Sequence, residues 1–358
     1  MKQKCLMILG MHRSGTSAIA GVFDSLGVSM GKTLMESNDN NPKGYYENLL
    51  VQILNESKLL PHLHLTWDST FPLITGWEND HELHDFYREA EKIIQNEYGE
   101  NELFGIKDPR ICRLFPFWAK VLDHLEIETY VIIPIRNPLE VAASLKKRNN
   151  YSMEKSILLW VIHLLEAENN TRQYKRIFVS YSNFINNTEK VIRSIDNYLG
   201  LELTESYISK KNEIENFINE ELKHYHIENT RIQKIPEYIN SIISITNYIS
   251  NDYTYEKDRE KRKTFTKEGD KFREALNFFL NDDIKNQIRE DNNNKNKIII
   301  ELRERINKLY ERIKKKDNTI EKMQQQLLYK NNQLENIKQQ LNSNSLSLIG
   351  KLKKQFKF

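Results

Sequence analysis

The chain has 358 residues, with 53 lysines and arginines against 50 aspartates and glutamates, and two cysteines, Cys5 and Cys112. This length predicts one sizeable α/β domain plus a further segment, and the nearly balanced charge argues against a nucleic-acid partner. Two cysteines exclude a disulfide framework and a cysteine-based zinc cluster, so we expect a reducing compartment and no metal site.

The first predicted strand is CLMIL, residues 5–9, and it runs directly into a glycine-containing loop. The N-terminus is basic and then apolar, like a signal peptide, but the apolar run is short and no small-residue cleavage pattern follows it. No run in the sequence approaches the roughly 20 apolar residues of a transmembrane helix. We therefore expect a cytoplasmic protein.

The loop after this strand, GMHRSGTS at residues 10–17, has the spacing of a phosphate-binding P-loop. Gly10 and Gly15 permit a tight turn, and the last four amides of the loop open a helix whose N-terminus attracts an anion. Thr16 stands where nucleotide triphosphatases carry the lysine that contacts β- and γ-phosphates, so the loop predicts a ligand without a γ-phosphate. A second candidate, GKT at residues 31–33, lacks both the spacing and a preceding strand, and we discard it.

Three more apolar runs alternate with helical patterns, as expected for βαβ units around a parallel sheet. They are ELFGI, YVIIPI and RIFVSY, at residues 102–106, 130–135 and 176–181. The prediction is therefore a three-layer α/β fold of the P-loop type with a central parallel sheet. Because ligands bind beyond the carboxyl ends of such strands, chemistry is expected in the segments that follow them, IKDPR and RNPLEVAAS.

The C-terminal part of the chain changes period. Residues 1–280 are predicted to form the P-loop domain, of which 204–280 make a helical cap, and residues 281–297 form a linker. A heptad repeat then covers residues 298–348, and apolar residues seven apart occupy its first seam position: Ile299, Ile306, Ile313, Ile320, Leu327, Leu334, Leu341 and Leu348. The second seam position holds Leu302, Leu309, Met323 and Ile337, with interruptions at Lys316, Lys330 and Asn344. This pattern predicts a long C-terminal coiled-coil helix of roughly 75 Å and a parallel homodimer, with a solvated helix lacking a partner as the alternative.

The last ten residues, 349–358, combine apolar side chains with four lysines. A basic amphipathic end binds anionic membrane surfaces, although one short anchor binds only marginally. Peripheral contact with the inner membrane surface is one expectation, and a frayed, solvated end is the alternative.

Two motifs resemble one family. HRSGTS after a buried strand resembles the 5′-phosphosulfate loop of the sulfotransferases that use 3′-phosphoadenosine-5′-phosphosulfate (PAPS). RNPLEVAAS, with an arginine and a serine eight residues apart, resembles the 3′-phosphate motif of the same family. The resemblance covers residues 1–203 and implies a bacterial P-loop sulfotransferase that takes PAPS as cosubstrate. The contacts to PAPS that it implies come from His12, Arg13, Ser14, Gly15, Thr16, Ser17, Arg136 and Ser144.

NPKGYYEN and IKDPR are similar to segments of bacterial and tyrosylprotein-type members, in which a carboxylate and a lysine face the transferring group. The resemblance implies that Glu47 is the base, that Lys107 is a cation on the sulfuryl oxygens, and that Arg13 offsets charge on the leaving phosphate. In-line displacement with these groups requires no metal. His12 is a rival base, and the alternative for Glu47 is a glutamate favoured by a helix start.

The chain departs from the family pattern in two places. Tyr181-Ser182-Asn183-Phe184 stands where Y-E-D-L is common, and the glycine-rich C-terminal motif of cytosolic members is absent. The adenine contacts and the class of acceptor therefore stay open. The expected acceptor is a hydroxyl on a cell-surface glycan or its lipid-linked precursor, because a rod and a basic tail would bring the enzyme to a membrane-bound substrate.

Two alternatives to a sulfotransferase remain at this point. The first is a P-loop kinase that uses Mg-ATP, in which Asp108 after the second strand would be the metal-binding acid. The second is a non-catalytic scaffold, in which a nucleotide-binding head is joined to the coiled coil.

Overall fold

The computed structural model describes residues 2–37, 44–70, 73, 76–218, 240, 242–244, 246 and 259–279, together with single positions and short runs between 290 and 334. The chain divides into two compact units, Met1–Asn293 and Asn294–Phe358. The candidate site lies in the first unit.

A four-stranded sheet organises the first unit. Its strands are β1 (Lys4–Ile8), β2 (Leu103–Lys107), β3 (Glu128–Ile135) and β4 (Lys175–Ser180), in the order β2-β1-β3-β4 and parallel at each described pairing. Each strand lies within two residues of a predicted one, and the predicted α/β fold with a central parallel sheet is confirmed. Tyr181, which was predicted to end the fourth strand, begins a helix instead.

Hydrophobic side chains cover both faces of this sheet. Along β1, Cys5 and Met7 contribute to one hydrophobic cluster, and Leu6 and Ile8 contribute to the other. All four side chains are buried, which is why the strand is continuously apolar rather than alternating between apolar and polar residues. The fold therefore has three layers, with helices on both sides of the sheet.

The helices follow the strands in the order that βαβ units require. One face of the sheet packs against α1 (Thr16–Ser25), α8 (Tyr181–Asn186), α9 (Thr188–Leu199) and α10 (Leu203–Phe217), and the other against α4 (His84–Tyr98), α5 (Ile111–His124), α6 (Pro138–Asn149), α7 (Met153–Asn170) and α11 (Arg259–Phe279). Between α1 and α4 the chain forms α2 (Leu49–Leu54), a π-helical turn (Asn55–Leu59), α3 (Leu60–His62) and two 3-10 turns (Trp77–Asn79 and His81–Leu83).

Several predicted segments lie largely outside the described residues. They are part of the helical cap (219–239), most of the linker (281–297) and the coiled coil (298–348), and the whole tail (349–358). The described positions of the second unit are helical and exposed. The coiled coil and the domain boundaries therefore stay predictions. Among the helices that the structure describes, none has both the length and the apolarity needed to cross a lipid bilayer.

Candidate functional site

The strand order places the candidate site beside β1. The chain passes from β1 to β2 on one side and then to β3 on the other, so the connections diverge at the carboxyl ends of β1 and β3. In open α/β sheets, the crevice at this point is the usual place for a ligand. The loop at residues 10–15 follows β1, and Arg136 follows β3 directly.

The loop between β1 and α1 turns through two residues with positive φ, Arg13 at 71° and Gly15 at 86°. The amide of Ser14 donates to the carbonyl of Met11 at 3.1 Å and closes the turn. No side chain caps the N-terminus of α1, and its first turn carries no acidic residue. The positive end of the helix is therefore suited to bind an anion.

Thr16, at the position of the missing lysine, is a packing residue. Its side chain is 4% exposed, and a Cβ built on Gly10 would lie 2.8 Å from its Cγ2. The threonine methyl therefore fills the space under the start of the loop. A long side chain that reaches toward a γ-phosphate has no counterpart at this position.

The two motifs of the PAPS resemblance meet in the crevice. Arg13 Nε donates to Ser144 Oγ at 2.6 Å, and Arg136 Nη1 donates to the carbonyl of Arg13 at 3.1 Å. Arg136 also forms an ion pair with Glu140 at 2.8 Å. Residues more than 120 positions apart thus form one cluster between the first loop and the start of α6.

Tyr181 closes this cluster from the side of β4. The guanidinium of Arg136 lies over its ring, with Cζ 4.6 Å from the centroid. A Cβ built on Gly15 would lie 2.0 Å from Cδ2 of the same ring. Burial raises the pKa of the Tyr181 phenol, although the charge of Arg136 acts in the opposite direction. The ring therefore contacts both the loop and the arginine that follows β3.

A second charged cluster joins Glu47 to Lys107 at the end of β2. Lys107 Nζ lies 2.6 Å from Glu47 Oε1, and it also donates to the carbonyl of Tyr45 at 3.0 Å and to Ser17 Oγ at 3.2 Å. Arg110 Nη1 lies 3.6 Å from the other oxygen of Glu47. Lys107 and Glu47 are 2% and 3% exposed, so the predicted base and the predicted cation form a buried ion pair, and Ser17 connects that pair to the loop.

A carboxylate on α4 holds Glu47 in place from outside the site. Glu97 accepts hydrogen bonds from the amides of Lys32 and Thr33 at 2.9 and 2.7 Å and from Asn48 Nδ2 at 2.6 Å. Burial raises the pKa of Glu97, but these hydrogen bonds outweigh it and the pKa is lowered. Asn48 caps α2 directly after Glu47. The discarded GKT segment thus has a structural role, since it ties α4 to the segment that carries Glu47.

Asp108, the metal-binding acid of the kinase alternative, accepts hydrogen bonds from other residues of the protein. It is buried, and its oxygens accept from Asn55 Nδ2 at 2.9 Å and from the amide and Nη1 of Arg110 at 2.9 and 2.8 Å. Burial lowers the pKa of Arg110, but the charges of Asp108, Glu56 and Glu47 outweigh it and raise the pKa. These contacts disfavour a magnesium ligand at this position.

His12 lies at the inner side of the loop. Its ring contacts the edge of Trp67, with centroids 4.7 Å apart. Its Nε2 atom is buried and has no hydrogen-bond partner among the described residues. Burial lowers the pKa of His12 well below its ordinary value, and the charges of Arg110 and Arg148 lower it further. The imidazole is therefore neutral near pH 7.

Several residues of this site were not singled out from the sequence, among them Arg110, Arg148, Tyr181 and Trp67. Arg110 lies within the quoted IKDPR segment, and Arg148 lies one helical turn after Ser144, so the spacing of each could have indicated it. Tyr181 was predicted only to end the fourth strand, and it opens the segment that departs from a family pattern. Trp67 lies in a loop after α3, and no motif surrounds it.

Comparisons with known proteins found no family model and no curated protein that matches the sequence. Among solved structures, the sulfotransferase domain of the olefin synthase of Synechococcus PCC 7002 is similar, with 14% identity and a TM-score of 0.38 over 71% of this chain and 96% of that chain. The sulfotransferase domain from the curacin biosynthetic pathway is similar with 14% identity and a TM-score of 0.35, over 70% of this chain and 96% of that chain.

Proposed function

We propose that this protein is a sulfotransferase that moves the sulfuryl group of PAPS to a hydroxyl acceptor. The observation that carries the proposal is the contact between the two motifs, in which Arg13 bonds Ser144 and Arg136 bonds the carbonyl of Arg13. These residues were picked out separately, as a 5′-phosphosulfate loop and a 3′-phosphate motif. Their meeting in one crevice supports a single ligand that carries both groups.

The residues of the crevice fit such a ligand. Arg136 and Ser144 would hold the 3′-phosphate, since an arginine fork and a hydroxyl suit phosphate oxygens. The uncapped N-terminus of α1 and the Arg13 side chain would hold the 5′-phosphosulfate. When bound, PAPS supplies an activated sulfuryl group whose bond to the 5′-phosphate breaks.

The buried pair of Glu47 and Lys107 would serve the acceptor. Glu47 takes the proton of the acceptor hydroxyl, and Lys107 offsets negative charge on the sulfuryl oxygens. The two groups already lie 2.6 Å apart, so this part of the site is preorganised. Ser17 accepts a hydrogen bond from Lys107. This bond connects the pair to the loop that would hold the donor.

We also propose which class of compound carries the acceptor hydroxyl. A hydroxyl on a cell-surface glycan or its lipid-linked precursor fits a dimeric rod with a basic tail, which would hold the enzyme at the inner membrane surface. Flotation with anionic liposomes tests the tail. Equal binding by the full chain and by a version that ends at Asn344 would remove this reason for a membrane-bound acceptor.

Thermal unfolding of the full chain tests the donor. A ligand that binds only the folded state at about 100 times its Kd stabilises it by roughly 2.7 kcal/mol. We expect 3′,5′-adenosine bisphosphate to raise the melting temperature without magnesium, and Arg136→Ala to abolish the effect. Stabilisation by Mg-ATP and not by the bisphosphate would favour the kinase. No response to any of these nucleotides would favour the scaffold.

A further inference from the structure

Arg148 lies on the same helix as the predicted 3′-phosphate serine. It follows Ser144 by four residues on α6, so the two side chains share one face of the helix. Its guanidinium lies over the ring of Trp67, with Cζ 5.3 Å from the centroid. Its Nε donates to the Asn149 side chain at 2.6 Å.

The charge of Arg148 is less compensated than that of its neighbours. Lys107 pairs with Glu47, Arg110 pairs with Glu56 and Asp108, and Arg136 pairs with Glu140. In the part of the chain that the structure describes, no carboxylate lies within ion-pair distance of Arg148. Burial and the nearby charge of Arg13 lower the pKa of Arg148. A half-buried cation of this kind is costly unless an anion joins it.

The surroundings of Arg148 indicate which anion this is. Its charge is repelled by Arg13 and attracted by Glu47, the proposed base for the acceptor hydroxyl. Arg136, which would hold the 3′-phosphate, precedes α6 and lies three helical turns away from Arg148 along the sequence of that helix. The position of Arg148 therefore favours a group on the acceptor over a phosphate of the donor.

The Trp67 ring that contacts the Arg148 guanidinium packs against a second aromatic ring. The ring of Trp67 stacks with that of Tyr151 at a centroid distance of 6.0 Å and an interplanar angle of 26°. The Tyr151 hydroxyl and Lys155 Nζ both donate to Asp68 Oδ2 at 2.6 Å. The carboxylate of Asp68 is thereby occupied by Tyr151 and Lys155, and the Trp67 ring holds the Arg148 guanidinium in place through a cation–π contact.

We propose that Arg148, held on Trp67, binds an anionic group of the acceptor, so that the preferred acceptor is a hydroxyl compound with a carboxylate, phosphate or sulfate near the reacting hydroxyl. This inference rests on the proposed sulfotransferase function and deepens it. Trp67 is the positioning residue, and Arg148 contacts the substrate. The same chemistry could serve a phosphate of the donor, and the experiment separates the two sources.

The experiment uses isothermal titration of the full chain at constant ionic strength. The protein is first saturated with PAPS, which occupies both the phosphate and the sulfuryl positions of the donor, and inorganic sulfate is then titrated as the probe. The Kd of 3′,5′-adenosine bisphosphate is measured in a separate titration. For Arg148→Gln we expect an unchanged Kd for the bisphosphate and a Kd for sulfate about tenfold or more weaker, as for loss of a hydrogen bond to a charged group. Arg148→Lys should recover part of the sulfate affinity.

Lys146→Gln is the matched control, because it removes one positive charge from the exposed face of the same helix. It should leave both constants unchanged. A bisphosphate affinity that falls about tenfold in Arg148→Gln would assign the arginine to the donor and overturn the inference. Sulfate binding that is undetectable in the natural protein, or equal in natural protein and Arg148→Gln, would overturn it as well. Failure of the natural protein to bind the bisphosphate would instead overturn the proposed function.

Discussion

Gly15 is subject to two constraints at once. Its φ of 86° lies in the left-handed region, and the Tyr181 ring occupies the space where a Cβ would stand. A side chain at this position would strain the backbone and displace the ring that supports Arg136.

We expect Gly15→Ala to lower the free energy of unfolding by more than the roughly 1–2 kcal/mol that a left-handed conformation costs a residue with a Cβ, and to abolish bisphosphate binding. Chemical denaturation and ligand titration measure the two effects. Gly200→Ala is the control, since Gly200 has a φ of 73° but no atom within 4 Å of an added Cβ. Equal losses in both variants would show that the contact with Tyr181 has no effect.

His163 gives the stability a dependence on pH. It is buried on α7, its Nδ1 lies 2.8 Å from the carbonyl of Leu159, and burial together with the charge of Arg113 lowers its pKa to about 3. In the unfolded chain the imidazole has a pKa near 6.5. The unfolded state therefore binds a proton between these values that the folded state does not bind, and this contribution to stability is lost as the pH falls below about 6.5.

As the pH falls from 6 to 4, we expect the difference in protonation of His163 to lower the free energy of unfolding by about 1.4 kcal/mol per pH unit. Urea denaturation at several pH values, for the natural protein and for His163→Gln, measures the slope. The variant should show a shallower slope even if it is less stable throughout. Parallel slopes would contradict the assignment of a neutral, buried His163.

At the scale of elements, the buried carboxylate of Glu168 links α7 to neighbouring elements through ion pairs and a hydrogen bond. Glu168 on α7 pairs with Arg176 of β4 at 3.2 Å and with Arg172 at 2.7 Å, and it accepts a longer hydrogen bond from Thr266 of α11 at 3.4 Å. Arg176 also donates to the backbone carbonyl of Glu168. One side chain therefore connects the helices α7 and α11 with strand β4 of the sheet.

We expect Glu168→Ala to lower the free energy of unfolding by about 3–5 kcal/mol, because it leaves Arg176 buried without its ion pair. Chemical denaturation of the full chain measures the loss. Glu189→Ala is the control, since that carboxylate pairs with Arg193 and Lys211 at the surface and its removal should change little. A similar small effect of both substitutions would mean that the Glu168 cluster does not stabilise the fold.

The elements themselves could be predicted from the sequence, whereas most contacts of the site could not. Apolar runs located all four strands, because a parallel sheet that is buried on both faces requires continuous hydrophobic residues. Short motifs located Arg13, Arg136, Ser144, Glu47 and Lys107. The bonds between them join distant segments, and no local pattern encodes a bond such as that from Arg13 to Ser144. Trp67 had no local signal because aromatic residues in loops are common.

At the scale of the whole molecule, the second unit exposes apolar side chains at the predicted seam. Met323, Leu327 and Leu334 are 65%, 64% and 55% exposed in the single chain. A row of exposed apolar side chains in water favours association with another helix. The exposure motivates the predicted homodimer.

We expect the full chain to be dimeric and Leu327→Glu combined with Leu334→Glu to make it monomeric, because charges would then enter the seam. Light scattering after size-exclusion chromatography measures the mass. Leu328→Glu is the control, since Leu328 is 63% exposed but lies outside the seam. A monomeric natural protein, or a dimer that persists in the double variant, would contradict the homodimer.

The pairing of β1 has a consequence for how the chain folds during its synthesis. Lys4 at the start of β1 pairs with Leu103 of β2 and Glu128 of β3, so β1 leaves the ribosome about a hundred residues before either of its partners. At about 5–20 residues per second, β1 waits on the order of 10 seconds for them. During that interval CLMIL is a hydrophobic segment that chaperones could bind. The phosphate loop can take shape only after β3 has emerged, so the nascent chain acquires its ligand site late.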